Sequence, residues 1–328
     1  MQQRDHARWV AADWSELPGW GQDAASELWP ALLRGCNRPA PGWAELCARA
    51  SLSPPADDAE AALWLMQHLQ PWSVQTREGE AQGLMTGYFE PALEARRKPE
   101  GNFRIPVLAA PADLKQQPPP YFTRQQIETE PLKSRMKPIV YIEDPIDLQV
   151  LQLQGTGRVR LADGEWRRLA FAGHNDQPLR PLGLALAEMG EWHGDTAAAP
   201  RAFVREWAQR NPQRLNELLW RNPRYVFFRE ELLPDTSVGP RGGQGVPLTP
   251  GRSIAVDKDS IPFGTPVWLD SSDPLNNAPL RRLAMAQDTG SAITGAARAD
   301  YFWGWGAEAE AAASRTRQAL KLWVLLPR

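Results

Sequence analysis

Nowhere in the 328 residues is there an apolar run of about 18, so the sequence offers no membrane-spanning helix. Charge of one sign is also lacking. Lys and Arg number 37 against 39 Asp and Glu, a net charge of −2. Such a balance gives no electrostatic footprint for a nucleic acid, and neither nucleic acid nor nucleotide is expected as a partner. Cysteine is nearly absent: Cys36 and Cys47 stand eleven positions apart and are the only two. Two are too few for an ordinary structural zinc site. The residues alone leave a local disulfide and two buried thiols equally open. Histidine is scarce too. His6, His68, His174 and His193 are dispersed, with no pair at helical i, i+4 spacing. No metal or other cofactor is expected, and His174 reads as a solvated loop residue. The opening MQQRDHARWV has no basic stretch followed by an apolar one. By itself that reads as cytoplasmic; a trimmed leader or a misplaced start codon would leave the same sequence.

What is abundant is proline, at 31, and tryptophan, at 15. Proline at this level favours irregular β structure and loops over a helical bundle. Tryptophan packs cores in most proteins and, less often, offers flat apolar faces to sugar rings. Residues 1–75 carry helical spacing in AASELWPALLRGC, WAELCARA and DDAEAALWLMQHLQPW, the last with an acidic start and a proline stop. From GLMTGYFEPALEARR onward the period shortens to that of strands broken by Gly and Pro. A hairpin is expected around Ala162-Asp163-Gly164. AFVREWAQRN starts as helix, is broken at Pro212, and leads to a strand. GPRGGQGVPLTPG reads as a linker or loop, and three strand-like segments follow it.

The stretch AMAQDTGSAITG, residues 284–295, contains Asp288-Thr289-Gly290-Ser291, the tetrapeptide that marks the catalytic aspartate of aspartic proteases. A pepsin-like enzyme needs two such turns, because two carboxylates must share one proton. The other candidates, at 195, 235 and 270, lack the glycine. A dimeric protease places its turn near the start of a short domain, whereas here 40 residues follow Asp288. The protease reading is set aside. Three aspartates are spaced through the last quarter instead: Asp257 in SIAVDKDSIPFGTPVWL, Asp288 in AQDTGSAITG, and Asp300 in ARADYFWGWG.

These blocks resemble the 3D domain, a double-psi β-barrel named for three aspartates. With MTGYFEP, LQLQGTGRVRLADG, FAGHNDQPLRPLG and NPRYVFFRE ahead of them, in that order, the chain from about residue 84 resembles the membrane-bound lytic transglycosylase A family of the bacterial envelope. The resemblance implies a mainly β fold. Residues 1–80 form a helical N-terminal segment; residues 81–94 and 231–328 form a double-psi β-barrel; residues 95–230 form an inserted β domain, the other wall of a glycan groove. It implies cleavage of the β-1,4 bond between N-acetylmuramic acid and N-acetylglucosamine with closure of a 1,6-anhydro ring. A glycosidase needs two carboxyl groups; this reaction needs one, acid first and base afterwards. The family's catalytic aspartate falls on Asp288. Its neighbours Ala284, Met285 and Ala286 would desolvate it and raise its pKa. Asp257 and Asp300 are supporting, and their plainer reading is as a turn cap and a binder of backbone amides. Thr86, Gly87, Tyr88, Gln154, Gly155, Gly157, Thr289 and Gly290 are the expected glycan contacts. Trp303 and Trp305 read as packing before sugar stacking. The family setting, periplasmic and attached to the outer membrane, implies a Cys36–Cys47 disulfide. The expected partners are peptidoglycan glycan strands and cell-wall enzyme complexes, with the chain itself a monomer. The alternative is a non-catalytic glycan-binding barrel.

Overall fold

A computed structural model describes residues 1–328. In chain order the first elements are strands β1 (Gln2–Gln3) and β2 (Arg8–Ala11), helices α1 (Trp29–Cys36), α2 (Ala44–Leu52) and α3 (Asp58–His68), and strands β3 (Leu69–Gln75) and β4 (Gly83–Glu90). The middle of the chain holds β5 (Ala92–Glu94), β6 (Ile105–Leu108), α4 (Arg124–Glu128), β7 (Pro138–Ile142), α5 (Pro145–Gln154), β8 (Thr156–Arg160), β9 (Trp166–His174), α6 (Leu182–Glu188), α7 (Arg201–Arg210), α8 (Leu215–Leu219) and β10 (Val226–Leu232). The last elements are β11 (Ser253–Val256), β12 (Pro266–Ser272), β13 (Pro279–Asp288), β14 (Arg298–Trp305), α9 (Gly306–Arg315) and β15 (Arg317–Pro327). No helix is long and apolar enough to cross a membrane. Two compact units result. One comprises Met1–Glu90 with Asp235–Arg328, the other Pro91–Pro234.

The first unit is built on one nine-stranded sheet in the order β1-β2-β3-β15-β12-β13-β11-β14-β4. β15 also pairs antiparallel with β4, Arg317 opposite Thr86. The six strands from β15 to β4 therefore close into a ring. Closure removes the exposed edges of those strands, which would otherwise be open to wrong pairing. The alternation of β13 shows how the sequence sets its two faces. Ala284 and Ala286 point into one core cluster with Val267, Leu269, Leu322 and Val324. Leu283 and Met285 point into the other, with Trp268, Trp323 and Leu325. This is the period of two that a strand imposes.

The second cluster is where the N-terminal helices dock. Trp14, Trp29 and Trp43 are buried there beside Leu28, Leu32 and Leu65. Much of the tryptophan thus serves packing. The N-terminal segment is not wholly helical, contrary to the sequence reading. α3 stops at His68, its C-cap Leu69 is extended, and Leu69–Gln75 is a strand paired to β15. Pro71 cannot sit inside a helix, and Val74 in this strand reaches the ring's core cluster. β2 adds a further strand on the outside of β3.

The second unit has a four-stranded sheet, β10-β9-β8-β5, and a two-stranded sheet, β6-β7. The hairpin between β8 and β9 turns at Ala162-Asp163-Gly164, with Gly164 at φ 85°. α7 ends before Pro212, as its sequence predicts. Helices α5 to α8 contribute to a separate core around Trp207 and Leu218.

Cys36, the last residue of α1, is disulfide-bonded to Cys47 in α2. Replacing both cysteines by serine is expected to lower stability by about 2–3 kcal/mol, the loop-closure effect for a loop this short. Chemical denaturation of the oxidised protein against the double variant measures it.

Candidate active site

Asp288 is the last residue of β13, past a register shift at which Ala286 pairs with Ile254 but Asp288 with Ala255, so it leaves the face of Ala284 and Ala286 and joins the row of Ala255. Its carboxyl meets three donors. The amides of Gly243 and Thr289 donate to Oδ1 at 2.8 and 2.9 Å. The Tyr88 hydroxyl donates to Oδ2 at 2.9 Å. Burial pushes the Asp288 pKa above the ordinary carboxylate range, while these three hydrogen bonds, which favour the charged form, hold part of that rise back. Burial also drives the Tyr88 phenol well above its usual pKa, with the charges of Asp288 and Asp300 adding to it. Tyr88 is therefore a neutral donor across the working pH range.

Asp300 lies in the same register row. Across the sheet, Asp288 on β13 stands opposite Ala255 on β11, Ala255 opposite Asp300 on β14, and Asp300 opposite Thr86 on β4. Between the two carboxylates the row has only a methyl group. Asp300 accepts from the Thr86 hydroxyl at 2.5 Å, and Arg298 donates to that hydroxyl oxygen at 2.9 Å. Its pKa is raised, by burial first and by the charge of Asp288 besides, against the pull of Thr86 and Arg298.

Asp257 is placed elsewhere. It is buried, follows β11, and accepts from the amides of Gly295 (2.7 Å) and Asp259 (3.0 Å) and from His6 at 2.8 Å. Burial works to raise its pKa, but these bonds prevail and lower it. It caps the turn before Ile261, whose amide donates to the Asp257 carbonyl. The ligand atoms of His6, Asp257 and Asp259 lie within 4.8 Å of one another, the only such convergence in the chain. They already partner one another, and Asp259 also pairs with Lys258.

The other residues expected at the site divide. Thr289 and Gly290 are exposed beside Asp288, and the Thr289 hydroxyl donates to the Val256 carbonyl. Gly87 has a packing reason: a Cβ there would come within 2.6 Å of Trp303 and 2.7 Å of Thr316. Trp303 itself donates to the Thr316 hydroxyl and packs on the core. Gln154, Gly155 and Gly157 lie in the second unit. Gly155 is the left-handed C-cap of α5, and Gly157 allows Leu151 to pack against the backbone. His174 ends strand β9, its ring accepting from the Asp176 amide. The sequence reading took the stretch before β11 as a linker or loop and gave it no part in the site. GPRGGQG is not a linker: Gly243 gives an amide to Asp288. A Cβ at Gly242 would stand 2.5 Å from the Gln287 carbonyl, and one at Gly243 2.9 Å from Phe263. The adjacent glycines were the signal, since they permit a backbone to come this close.

Two family models match the chain, the MltA specific insert domain over residues 84–229 and the 3D domain over residues 252–326. The membrane-bound lytic murein transglycosylase A of Vibrio cholerae is 30% identical over 247 residues, 70% of this chain. The chain spans 64% of that relative's length. It is also similar to the solved structure of a lytic transglycosylase, LtgG, of Burkholderia pseudomallei, at 38% identity and TM-score 0.72 over 99% of this chain and 97% of that one. MltA from Neisseria gonorrhoeae is similar at 28% identity and TM-score 0.87, over 99% of this chain and 96% of that one.

Two outcomes follow from the geometry. Tyr88→Phe removes a bond that favours the carboxylate, so the Asp288 pKa should move further up, read by carbon-13 NMR titration of its carboxyl. Asp257→Asn should cost about 1–3 kcal/mol in stability by weakening buried hydrogen bonds. Because the folded pKa of Asp257 lies below the unfolded one, its contribution is present at neutral pH and lost as acid protonates it. Melting curves of wild type and variant at neutral and acid pH check both points.

Proposed function

The chain belongs to the membrane-bound lytic murein transglycosylase A family, and on that premise we propose that it cleaves peptidoglycan glycan strands without water. The bond is the β-1,4 link between N-acetylmuramic acid and N-acetylglucosamine, and the product carries a 1,6-anhydromuramic acid end. The observation that carries this reading is the carboxyl of Asp288, with its pKa raised by burial and three donors aimed at it.

Each step uses that one group. The protonated Asp288 gives its proton to the glycosidic oxygen, which leaves with N-acetylglucosamine as the C1–O bond breaks. The carboxylate then takes the proton from the muramic O6 hydroxyl as O6 bonds to C1. The acid is regenerated and no water is consumed. Burial keeps enough of the group protonated to begin; the two amides and Tyr88 stabilise the carboxylate halfway. Asp300, held by Thr86, adds negative potential beside the positive charge that develops at C1. Thr289 and Gly290 offer exposed polar backbone beside the acid. Gln154 of the second unit has an amide suited to an N-acetyl group. The membrane-bound relatives favour a periplasmic place at the outer membrane, with the glycan strand as the principal partner.

A barrel that only binds glycan would retain sacculi and release nothing. Incubating the protein with purified sacculi and analysing the soluble muropeptides separates the two readings, since only the lyase yields anhydro ends. Asp288→Asn should lose about 10²–10⁴-fold or more in rate, because one group serves both half-reactions. It should still bind glycan strands. It should also be at least as stable as wild type at neutral pH. A carboxyl with a raised folded pKa stabilises the fold most when protonated and loses that contribution as pH rises through the folded pKa. The wild-type rate should fall over the same rise, as the acid form is lost. Near wild-type turnover by a correctly folded Asp288→Asn would overturn the mechanism.

A further inference from the structure

Gln287 is the extra residue at the register shift beside Asp288, and its side chain reaches α1. Gln287 is fully buried. Its side-chain amide donates to the Ala31 carbonyl at 2.8 Å, and its side-chain oxygen accepts from the Ser253 hydroxyl at 2.7 Å. Its main-chain carbonyl accepts from the Gln244 amide at 3.0 Å. Gln244 is buried as well, and its side-chain nitrogen donates to the carbonyls of Gly35 (3.2 Å) and Arg38 (3.0 Å). Gln244 directly follows Gly243, whose amide holds Asp288. Two glutamines, one on each side of the Asp288 carboxylate's attachment, are thus fastened to carbonyls along α1, from Ala31 to Arg38 just past its end.

The helix can come so close because residue 35 is glycine. A Cβ there would stand 3.3 Å from the Gln287 amide nitrogen and 3.5 Å from Met285. The helix is in turn tied by the Cys36–Cys47 bond. The surroundings are apolar, with Met285, Trp43, Trp268 and Leu32 in the same cluster. Buried amides in such a place cost free energy unless fully paired, and the Gln244 side-chain oxygen has no partner. Apolar side chains of the same length would fill the space without that cost. What they would lack is a directional hold on the two backbone segments beside Asp288.

We infer that Gln287 and Gln244 are positioning residues, which fix the Asp288 carboxyl and the Gly243 amide to α1 so that the acid is aimed at the glycosidic oxygen. The inference rests on the reading of Asp288 as the acid and base.

The test compares Gln287→Met, Gln244→Met and the double variant with Leu65→Ala, a cavity in the same cluster that touches neither glutamine. The full-length chain is assayed on soluble, peptide-free glycan strands, with anhydro ends counted by chromatography. The temperature is one at which circular dichroism shows every variant folded. Each methionine variant should lower kcat roughly 10–100-fold, the scale of a misaimed catalytic group, with KM within about twofold of wild type. The double variant should fall little below the worse single one, since both act on one geometry. Leu65→Ala should lower Tm and leave kcat alone. Gly35→Ala, which presses on the Gln287 amide from the helix side, should repeat the kcat loss and serves if a methionine variant does not fold. Unchanged kcat in the glutamine variants and Gly35→Ala, or an equal loss in Leu65→Ala, overturns the inference. If the wild type itself makes no anhydro ends, the lyase reading fails separately. The carbon-13 shift of the Asp288 carboxyl at fixed pH then decides: displaced by the glutamine variants but not by Leu65→Ala if they position it, unmoved in all if they do not.

Discussion

The pairing of β15 with β4 is the constraint on which the site depends. β4 lies about two hundred residues before Asp288, and it is flanked by β14 on one side and β15 on the other. Its pairings with these two strands fix Thr86 and Tyr88 on the same face as Asp300 and Asp288, opposite to the face on which Met85, Ala299 and Tyr301 enter the ring's core. The register leaves no freedom, since a slip of one residue would turn Tyr88 away from Asp288. Burial on that face also sets the electrostatics, raising the pKa of Asp288 and of Asp300 beside it.

A second, costlier interaction joins the N-terminal segment to the same strands. Arg252, just before β11, is buried and makes a bidentate pair with Asp23, at 2.5 and 3.0 Å. It also donates to the Leu283 carbonyl on β13, while the Leu283 amide donates to Asp23. Removing both charges from water is expensive, and a buried pair is repaid only when its remaining groups are hydrogen-bonded. Here they largely are. Ala24 and Glu27 accept from the same guanidinium, leaving only the Arg252 Nε without a partner. The pair is better read as fixing where the segment docks than as adding stability. With Gln287 and Gln244 it makes the N-terminal helices part of the support for β11 and β13.

The sequence made some of this legible and hid the rest for physical reasons. Asp288 was singled out because its Asp-Thr-Gly turn is distinctive and the blocks around it resemble a known family. The β8–β9 hairpin and the break at Pro212 were legible because local backbone chemistry decides them. β3 was not, because its pattern follows straight on from α3 and its strand character comes from pairing with β15, near the other end of the chain. Gly243 was hidden for a similar reason. Its part is played by a backbone amide, which every residue but proline carries, so only the close approach gives it away. Gln244 and Gln287 looked like ordinary polar residues; burial makes them distinctive, and burial of a single glutamine is not written in local periodicity.

The contrast between the aspartates shows how one barrel tunes like groups apart. Asp257 and Asp288 each accept two backbone amides and one side-chain hydrogen bond. Yet one pKa is lowered and the other raised. The difference lies in the third partner. Asp257, although buried, has a histidine that can carry positive charge. Asp288 has only the neutral phenol of Tyr88, which can stabilise a carboxylate but cannot neutralise it, and β4 covers it. A cation in place of Tyr88 would pull the acid down and leave it ionised before it could donate a proton. A neutral donor lets the same hydrogen bond coexist with a raised pKa, which is what one group needs to be acid first and base next.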